Sequence, residues 1–132
     1  MNAFLIERLA LELKKVLRGK RLTEAFTTSQ FDINLVIEPL ALKVSFYKGQ
    51  AYFQTPDLEK LQKKNRLPVF RSLVGATIKD VLIHPYDRRF DLVLSDGQTL
   101  VFYLYGKFGQ LSHYSKNKWQ ERFPVKSSTV ET

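Results

Sequence analysis

The 132-residue chain contains no cysteine. That removes disulfides, thiolate zinc sites and cysteine nucleophiles together, and it fits a reducing, cytoplasmic setting. Histidine is nearly as scarce. His84 and His113 form no His-x-x-x-His pair and stand in no acidic cluster, so no metal site and no cofactor is expected, and His84 reads as a strand-end residue. The serines at 45, 72, 95 and 112 sit in no nucleophile-elbow context, and no phosphate-cradling glycine loop occurs. The nearest approach to one is Gly106-Lys107-Phe108-Gly109, read as a tight loop or bulge between strands with Lys107 at its tip. Long apolar runs are missing as well. None approaches the roughly 20 residues that cross a bilayer, and the opening Met1-Asn2-Ala3-Phe4-Leu5-Ile6-Glu7 lacks the basic leader and apolar stretch of a signal peptide, so neither membrane association nor export by that route is expected. Acid is in short supply too: 13 acidic residues face 21 basic ones, for a net charge of +8. Such an excess attracts polyanions, whether nucleic acid or an acidic membrane surface, although it also serves plain solubility.

What is present describes one ordinary domain. A chain of this length buries roughly two-thirds of its unfolded surface around a single core. Leu5, Leu9, Leu13, Val16 and Leu17 recur at spacings of three and four, which predicts an amphipathic helix over residues 3–18 ending at Gly19. Lys14, Lys15, Arg18, Lys20 and Arg21 then place five cations within eight positions, either a solvated helix end or half of a phosphate-binding surface. Strands follow at 22–28, at 31–37, where Phe31, Ile33, Leu35 and Ile37 alternate with polar residues, at 40–47 and, after a Lys48-Gly49 turn, at 50–54. Thr55-Pro56-Asp57 opens a polar stretch to Arg66, either a short exposed helix or a loop. Val69, Phe70, Leu73 and Val74, closed by Gly75, predict a helix of about two turns.

Further strands are predicted at 77–84, 89–94, 99–105 and 110–114, with Ser95-Asp96-Gly97-Gln98 as the best-marked hairpin, because Asp-Gly supplies the positive φ angles of a two-residue loop. From Ser115 onward the residues read as a frayed or linker-like basic end, with Trp119 and Phe123 able to dock. The two halves correspond. Gly19, Leu22 and Phe26 match Gly75, Ile78 and Leu82; after one residue of slippage Ile33, Leu35 and Ile37 match Phe90, Leu92 and Leu94; Gly49-Gln50 matches Gly109-Gln110. Helix, glycine and four strands, twice over, predict an α+β fold of two packed antiparallel four-stranded sheets, a pseudo-duplicated β-sandwich with flanking helices.

Between two of those strands lies the corner His84-Pro85-Tyr86-Asp87-Arg88-Arg89-Phe90. Pro-Tyr-Asp is ordinary turn chemistry, yet the corner also puts a carboxylate, guanidinium groups and an aromatic at the edge of a rigid sheet. Lysine and arginine supply affinity for RNA by counterion release, while an aromatic or a fixed guanidinium can discriminate an unpaired base. Tyr86 is the aromatic singled out, because it follows a proline in a polar corner.

Three stretches then carry a resemblance: Val69-Phe70-Arg71-Ser72-Leu73-Val74-Gly75-Ala76-Thr77-Ile78, Tyr86-Asp87-Arg88-Arg89-Phe90, and Leu104-Tyr105-Gly106-Lys107-Phe108-Gly109, with Leu17-Arg18-Gly19 agreeing. A short helix ending in Leu-x-Gly, an Asp-Arg pair within a strand pair and a Gly-rich turn before the last strand resemble the N-terminal domain of the NFACT family. These are ribosome quality-control factors also labelled fibronectin- or fibrinogen-binding protein A-like. The resemblance covers essentially the whole chain, read as the domain over 1–114 and a basic tail or linker over 115–132. It implies a fold similar to the N-terminal domain of formamidopyrimidine-DNA glycosylases. It also implies a noncatalytic RNA-binding module engaging tRNA and the stalled large ribosomal subunit. Asp87 would orient Arg88 through charge-assisted hydrogen bonds, and Tyr86, Arg89, Lys107, Lys14, Lys15 and Arg18 complete the expected RNA-binding set.

Departures from the family pattern stand beside it. Its usual Gly-x-x-x-Asn in the last turn is here Gly106-Lys107-Phe108-Gly109-Gln110, and whole members continue into a helical hairpin, coiled coil and further RNA-binding region, so additional domains of the same polypeptide are expected to be missing. The alternative function is a surface adhesin of the fibronectin/fibrinogen-binding type. A DNA glycosylase-like enzyme is the third reading. Such enzymes use an N-terminal proline amine with a neighbouring glutamate, whereas this chain begins Met1-Asn2-Ala3-Phe4 and lacks their helix-two-turn-helix and zinc portions, so no enzymatic activity is expected.

Overall fold

The computed structural model describes residues 3–47, 50–61, 63–104 and 109–123. The chain opens with helix α1 (Ala3–Leu17), which ends where Gly19 takes φ +84°. Its buried stripe is Ile6, Ala10, Leu13 and Leu17, spaced four, three and four. Leu9 is only partly buried and Val16 is exposed, so the helix is rotated from the face predicted through Leu9 and Val16: the small Ala10 lets the backbone approach the sheets. No helix among the described residues is long and apolar enough to cross a membrane.

Ten strands follow: β1 (Glu24–Thr27), β2 (Asp32–Ile37), β3 (Leu40–Tyr47), β4 (Gln50–Gln54), β5 (Leu67–Pro68), β6 (Ile78–His84), β7 (Arg89–Leu94), β8 (Gln98–Tyr103), β9 (Gln110–Ser115) and β10 (Lys118–Phe123). They form two antiparallel sheets with orders β4-β3-β2-β1-β5 and β10-β9-β8-β7-β6. Period-two alternation decides the faces. Ile33, Leu35, Ile37, Leu42 and Val44 of the first sheet and Phe90, Leu92, Leu94, Leu100, Phe102 and Leu111 of the second enter one core with the α1 stripe. Phe90 stacks on Phe102 at 4.5 Å between centroids, and Phe53 reaches across from β4 to both. The Asp96-Gly97 hairpin has the predicted geometry, with φ of +61° and +75°.

The duplication is written into the hydrogen bonds that join the halves. Gly19 N–H donates to the Ile78 carbonyl (2.8 Å) and Gly75 N–H to that of Leu22 (2.7 Å); Leu22 N–H donates to Ala76 (2.9 Å) and Ile78 N–H to Lys20 (2.8 Å). An offset of 56 residues, Gly19 to Gly75 and Leu22 to Ile78, turns each bond into its mate. The bridge pair Arg21 and Thr77 maps onto itself. A pseudo-twofold axis therefore passes between Arg21 and Thr77, and both glycines, at φ +84° and +99°, adopt the backbone that β-carbons disfavour. The offset changes beyond this crossing. Phe26 pairs with Asn34, whereas Leu82 pairs with Asp91: the second half has gained one residue, and it lies in the corner between β6 and β7.

Several expectations are corrected. Each sheet has five strands, because β5 adds to the edge of β1 and β10 to the edge of β9. The predicted helix at 69–74 is a single 3-10 turn, Arg71–Leu73; Phe70, which precedes it at φ +49°, keeps Val69 and Phe70 out of the helix, and its ring is spent on the core. The stretch after Pro56 is a 3-10 turn at Leu58–Lys60 preceded by Asp57, and Leu58 and Leu61 cover Phe26, Val36 and Ala41 on the outside of the first sheet. Residues 115–123 are no frayed end. Lys116 and Asn117 at φ +52° and +69° make a tight hairpin into β10, whose Phe123 is buried against Phe46 at 6.4 Å. Register also replaces the match of Gln50 with Gln110: Ser45 pairs with Tyr52 and Tyr103 with Gln110, so Tyr52 holds the equivalent place. The Lys48-Gly49 turn lies outside the described residues.

Candidate functional site

The corner is held from both ends. His84 and Arg89 close the β6–β7 pair, Pro85–Asp87 forms a 3-10 turn, and Arg88 returns the chain at φ +49°. The Arg88 carbonyl accepts from Leu104 N–H at 3.0 Å, which ties the corner backbone to the end of β8. Tyr86 is 100% exposed, an unusual position for an aromatic ring, which has no packing partner among the described residues. Asp87 and Arg88 are exposed beside it.

The expected Asp87–Arg88 pair does not form: no hydrogen bond or ion pair joins them among the described residues. The orienting carboxylate is Asp91, which sequence reasoning did not single out. Arg89 Nε and Nη2 donate to its two oxygens at 3.0 and 3.2 Å, and His84 Nε2 lies 3.2 Å from Oδ2. Asp91 is buried while Arg89 and His84 keep about a third of their side chains in water. The hydrogen bond to Asp91 holds the Arg89 guanidinium above its ordinary pKa, against the opposing effect of burial. The same guanidinium stands 5.7 Å from the Tyr103 ring centroid. Tyr103 is pushed up to about 12, first by burial and then by its hydrogen bond with Tyr114. The signal for Asp91 was in the sequence. Residues i and i+2 of a strand share a face, so Arg89 and Asp91 had to point out together once Phe90, Leu92 and Leu94 pointed in.

Tyr86, Asp87, Arg88, Arg89 and Tyr103 line an open hollow of about 640 Å³. Four of the predicted binding residues are thus brought together. Lys107 lies outside the described residues. Lys14, Lys15 and Arg18 are elsewhere: Lys14 Nζ is 3.5 Å from Asp80, Lys15 Nζ is 3.6 Å from Glu12, and the carboxyl of Asp80 sits below its usual range chiefly through the Val81 N–H, with Lys14 and Arg18 adding to it and desolvation opposing. Helix α1 reaches the start of β6 at its C-terminus and also touches the corner turn, so it runs antiparallel to β6. The two basic groups are then separated by the five residues from Asp80 to Pro85, about 17 Å of strand.

The arrangement offers one fixed cation, one exposed cation and one exposed ring, which suits an anion bound beside a flat group. Asp91 is committed to two partners, and no group of three metal-ligating side chains occurs among the described residues.

No family model matches the sequence, and neither does any curated protein. Solved structures do match. The chain is similar to the N-terminal domain of fibronectin-binding protein PavA from Streptococcus pneumoniae, with 19% identity and a TM-score of 0.77 over 92% of this chain and 52% of that one. It is similar to the fibrinogen binding protein from Staphylococcus aureus, with 18% identity and a TM-score of 0.73 over 92% and 49%. For the N-terminal part of the fibronectin/fibrinogen-binding protein from Streptococcus suis the values are 20% and 0.76 over 92% and 52%. The chain therefore has the α+β sandwich fold of these fibronectin- and fibrinogen-binding proteins and spans about half the length of the solved chains it matches.

Proposed function

We propose that this domain is a noncatalytic RNA-binding module that works in the cytoplasm, engaging tRNA and, as part of a longer polypeptide, the stalled large ribosomal subunit. The observation that carries this reading is the corner, where a fully exposed Tyr86 and an exposed Arg88 flank an Arg89 already oriented by Asp91. The net charge of +8 supplies the long-range attraction, and the corner supplies a positioned contact. Arg88 is the contact residue, with Tyr86 the ring on which an unpaired base can stack. Asp87 forms no hydrogen bond or ion pair among the described residues and acts on Arg89 only through its charge, trimming the charge of the hollow. Lys14, Lys15 and Arg18 contribute general attraction at the far end of β6.

A second reading is favoured by one specific observation: the solved neighbours are described as binding fibronectin or fibrinogen. One set of measurements separates the two. Fluorescence anisotropy with labelled tRNA across a salt series should give a strongly salt-dependent affinity. Arg88→Ala should weaken it about fivefold and reduce the slope of log K against log salt by about 0.9 or less, the share of one phosphate contact. Lys64→Ala should weaken it less. Equal losses from the two variants would overturn Arg88 as the contact residue, and capture of fibronectin by a domain that binds no tRNA would overturn the RNA reading.

A further inference from the structure

The hollow at the corner does not end there. Arg89 and Tyr103, which line it, belong to the outer face of the second sheet, and the register allows that face to be followed strand by strand. Arg89 pairs with Tyr103 and Tyr103 with Gln110; Asp91 with Val101, Val101 with Ser112 and Ser112 with Arg122; Thr99 with Tyr114 and Tyr114 with Trp119. Tyr103 and Tyr114 sit two rows apart and share a hydrogen bond, so they reach toward each other across the row of Val101 and Ser112, both of which are buried. Trp119 continues the line on the edge strand β10. It is 55% exposed, and a bulge between Trp119 and Glu121 keeps Trp119 and Arg122 on the same side. From Tyr103 to Trp119 the line crosses two strand spacings and about four residues of strand length, a diagonal of about 16 Å.

The charge on this face is one-sided. Its cations are Arg89 and Arg122, with His84 beside them, and Arg122 forms no ion pair among the described residues. Its acids are already occupied, Asp91 by Arg89 and His84 and Asp80 by Lys14. The duplication provides an internal control. At the equivalent places on the first sheet, Asp32 stands for Arg89, Asn34 for Asp91 and Ser45 for Tyr103, so the sandwich itself requires neither the ring nor the cation. That outer face is partly covered by Leu58 and Leu61.

We infer that the outer face of the second sheet is a track for single-stranded RNA, continuous with the corner, on which successive bases stack on Tyr103, Tyr114 and Trp119 while Arg89 and Arg122 meet the backbone. This rests on the RNA reading of the corner and narrows it to unpaired nucleotides. Stacking on aromatic rings is tolerant of sequence, because every base has a flat face. A duplex, whose bases are already stacked, gains nothing from the rings and meets only the cations.

Trp119 is the only tryptophan in the chain, so its fluorescence reports this face directly. Octauridylate titrated into the intact protein should quench Trp119 with the same midpoint as binding, and a blunt 16-base-pair RNA duplex should not. Tyr114→Ala and Trp119→Ala should each weaken octauridylate binding about tenfold. Trp119→Phe, which keeps a ring, should stay within about threefold of the parent. Thermal unfolding of each variant identifies any loss due to misfolding, and Arg122→Ala provides a variant without a change of ring. Octauridylate binding that leaves the fluorescence unchanged, or that survives Trp119→Ala at full affinity, overturns the track. tRNA binding that needs Arg88 while octauridylate does not bind overturns the track and leaves the corner standing. Octauridylate bound on the rings, with tRNA indifferent to Arg88→Ala, overturns the corner and leaves the track.

Discussion

Asp91→Ala removes the carboxylate around which the corner is arranged. Three contacts disappear, two from Arg89 at 3.0 and 3.2 Å and one from His84 at 3.2 Å. Hydrogen bonds to a charged group contribute roughly 1.5–3 kcal/mol when buried. Arg89 and His84 are each about one-third exposed, so water replaces part of what is lost and the expected cost is about 2 kcal/mol, below the 3–5 kcal/mol typical of breaking a fully buried pair. For a domain of this size 1 kcal/mol corresponds to about 3–4 °C in Tm, so Asp91→Ala should melt about 7 °C below the parent in a thermal scan followed by circular dichroism. A double-mutant cycle with Arg89→Ala should give a coupling energy of about 1–2 kcal/mol. Asp87→Ala, which removes an exposed carboxylate that forms no ion pair or hydrogen bond among the described residues, should stay within about 0.5 kcal/mol of the parent. A Tm for Asp91→Ala within 1 °C of the parent, or an equal loss from Asp87→Ala, would show that Asp91 does not organise this corner.

Two further perturbations test the frame. Gly19→Ala and Gly75→Ala both force a β-carbon into a positive-φ backbone with nothing within 4 Å of it, so the cost is conformational, about 1–2 kcal/mol each; denaturant midpoints should fall alike, and a difference above about 1 kcal/mol would break the pseudo-twofold equivalence. His113 is buried with Nε2 donating to Gln98 Oε1 at 2.6 Å and Nδ1 without a partner among the described residues, and burial lowers its pKa from the ordinary 6.5, with Glu121 opposing. Below about pH 6.5 the unfolded chain takes up a proton that the folded chain refuses, so this stability is complete above pH 6.5, declines as the pH falls and levels out below the folded pKa. Between pH 7.5 and 5.0 the parent should lose more stability in urea than His113→Gln, and equal losses would count against a neutral buried imidazole.

The strands, the Asp96-Gly97 hairpin and the two helix-ending glycines were legible because each is a local effect. Alternation fixes which side chains share a face, and positive φ calls for glycine or a tolerant turn residue. The edge strand β10 was not legible. Its turn, Lys116-Asn117, lacks glycine, and the bulge after Trp119 destroys the period of two across Lys118-Trp119-Gln120-Glu121-Arg122-Phe123. The helix predicted over 69–74 failed for the opposite reason: its apolar spacing was right, but Phe70 serves the core from a left-handed backbone.

The sequence alone determined that this is a basic, cysteine-free, duplicated β-sandwich with an Asp-Arg corner in its second half, since composition, alternation and repetition are all properties of the chain order. Only the tertiary structure decided which carboxylate holds which arginine. Adjacent residues such as Asp87 and Arg88 are neighbours in sequence whatever the fold, but a turn with Arg88 at positive φ leaves them unpaired, while alternation along β7 puts Arg89 and Asp91 on one face and strand register adds His84 to them. The same register separates the Lys14 to Arg18 cluster from the corner and extends the corner into the Tyr103, Tyr114 and Trp119 face. Pairing across strands is set by long-range hydrogen bonding, and no run of neighbouring residues contains it.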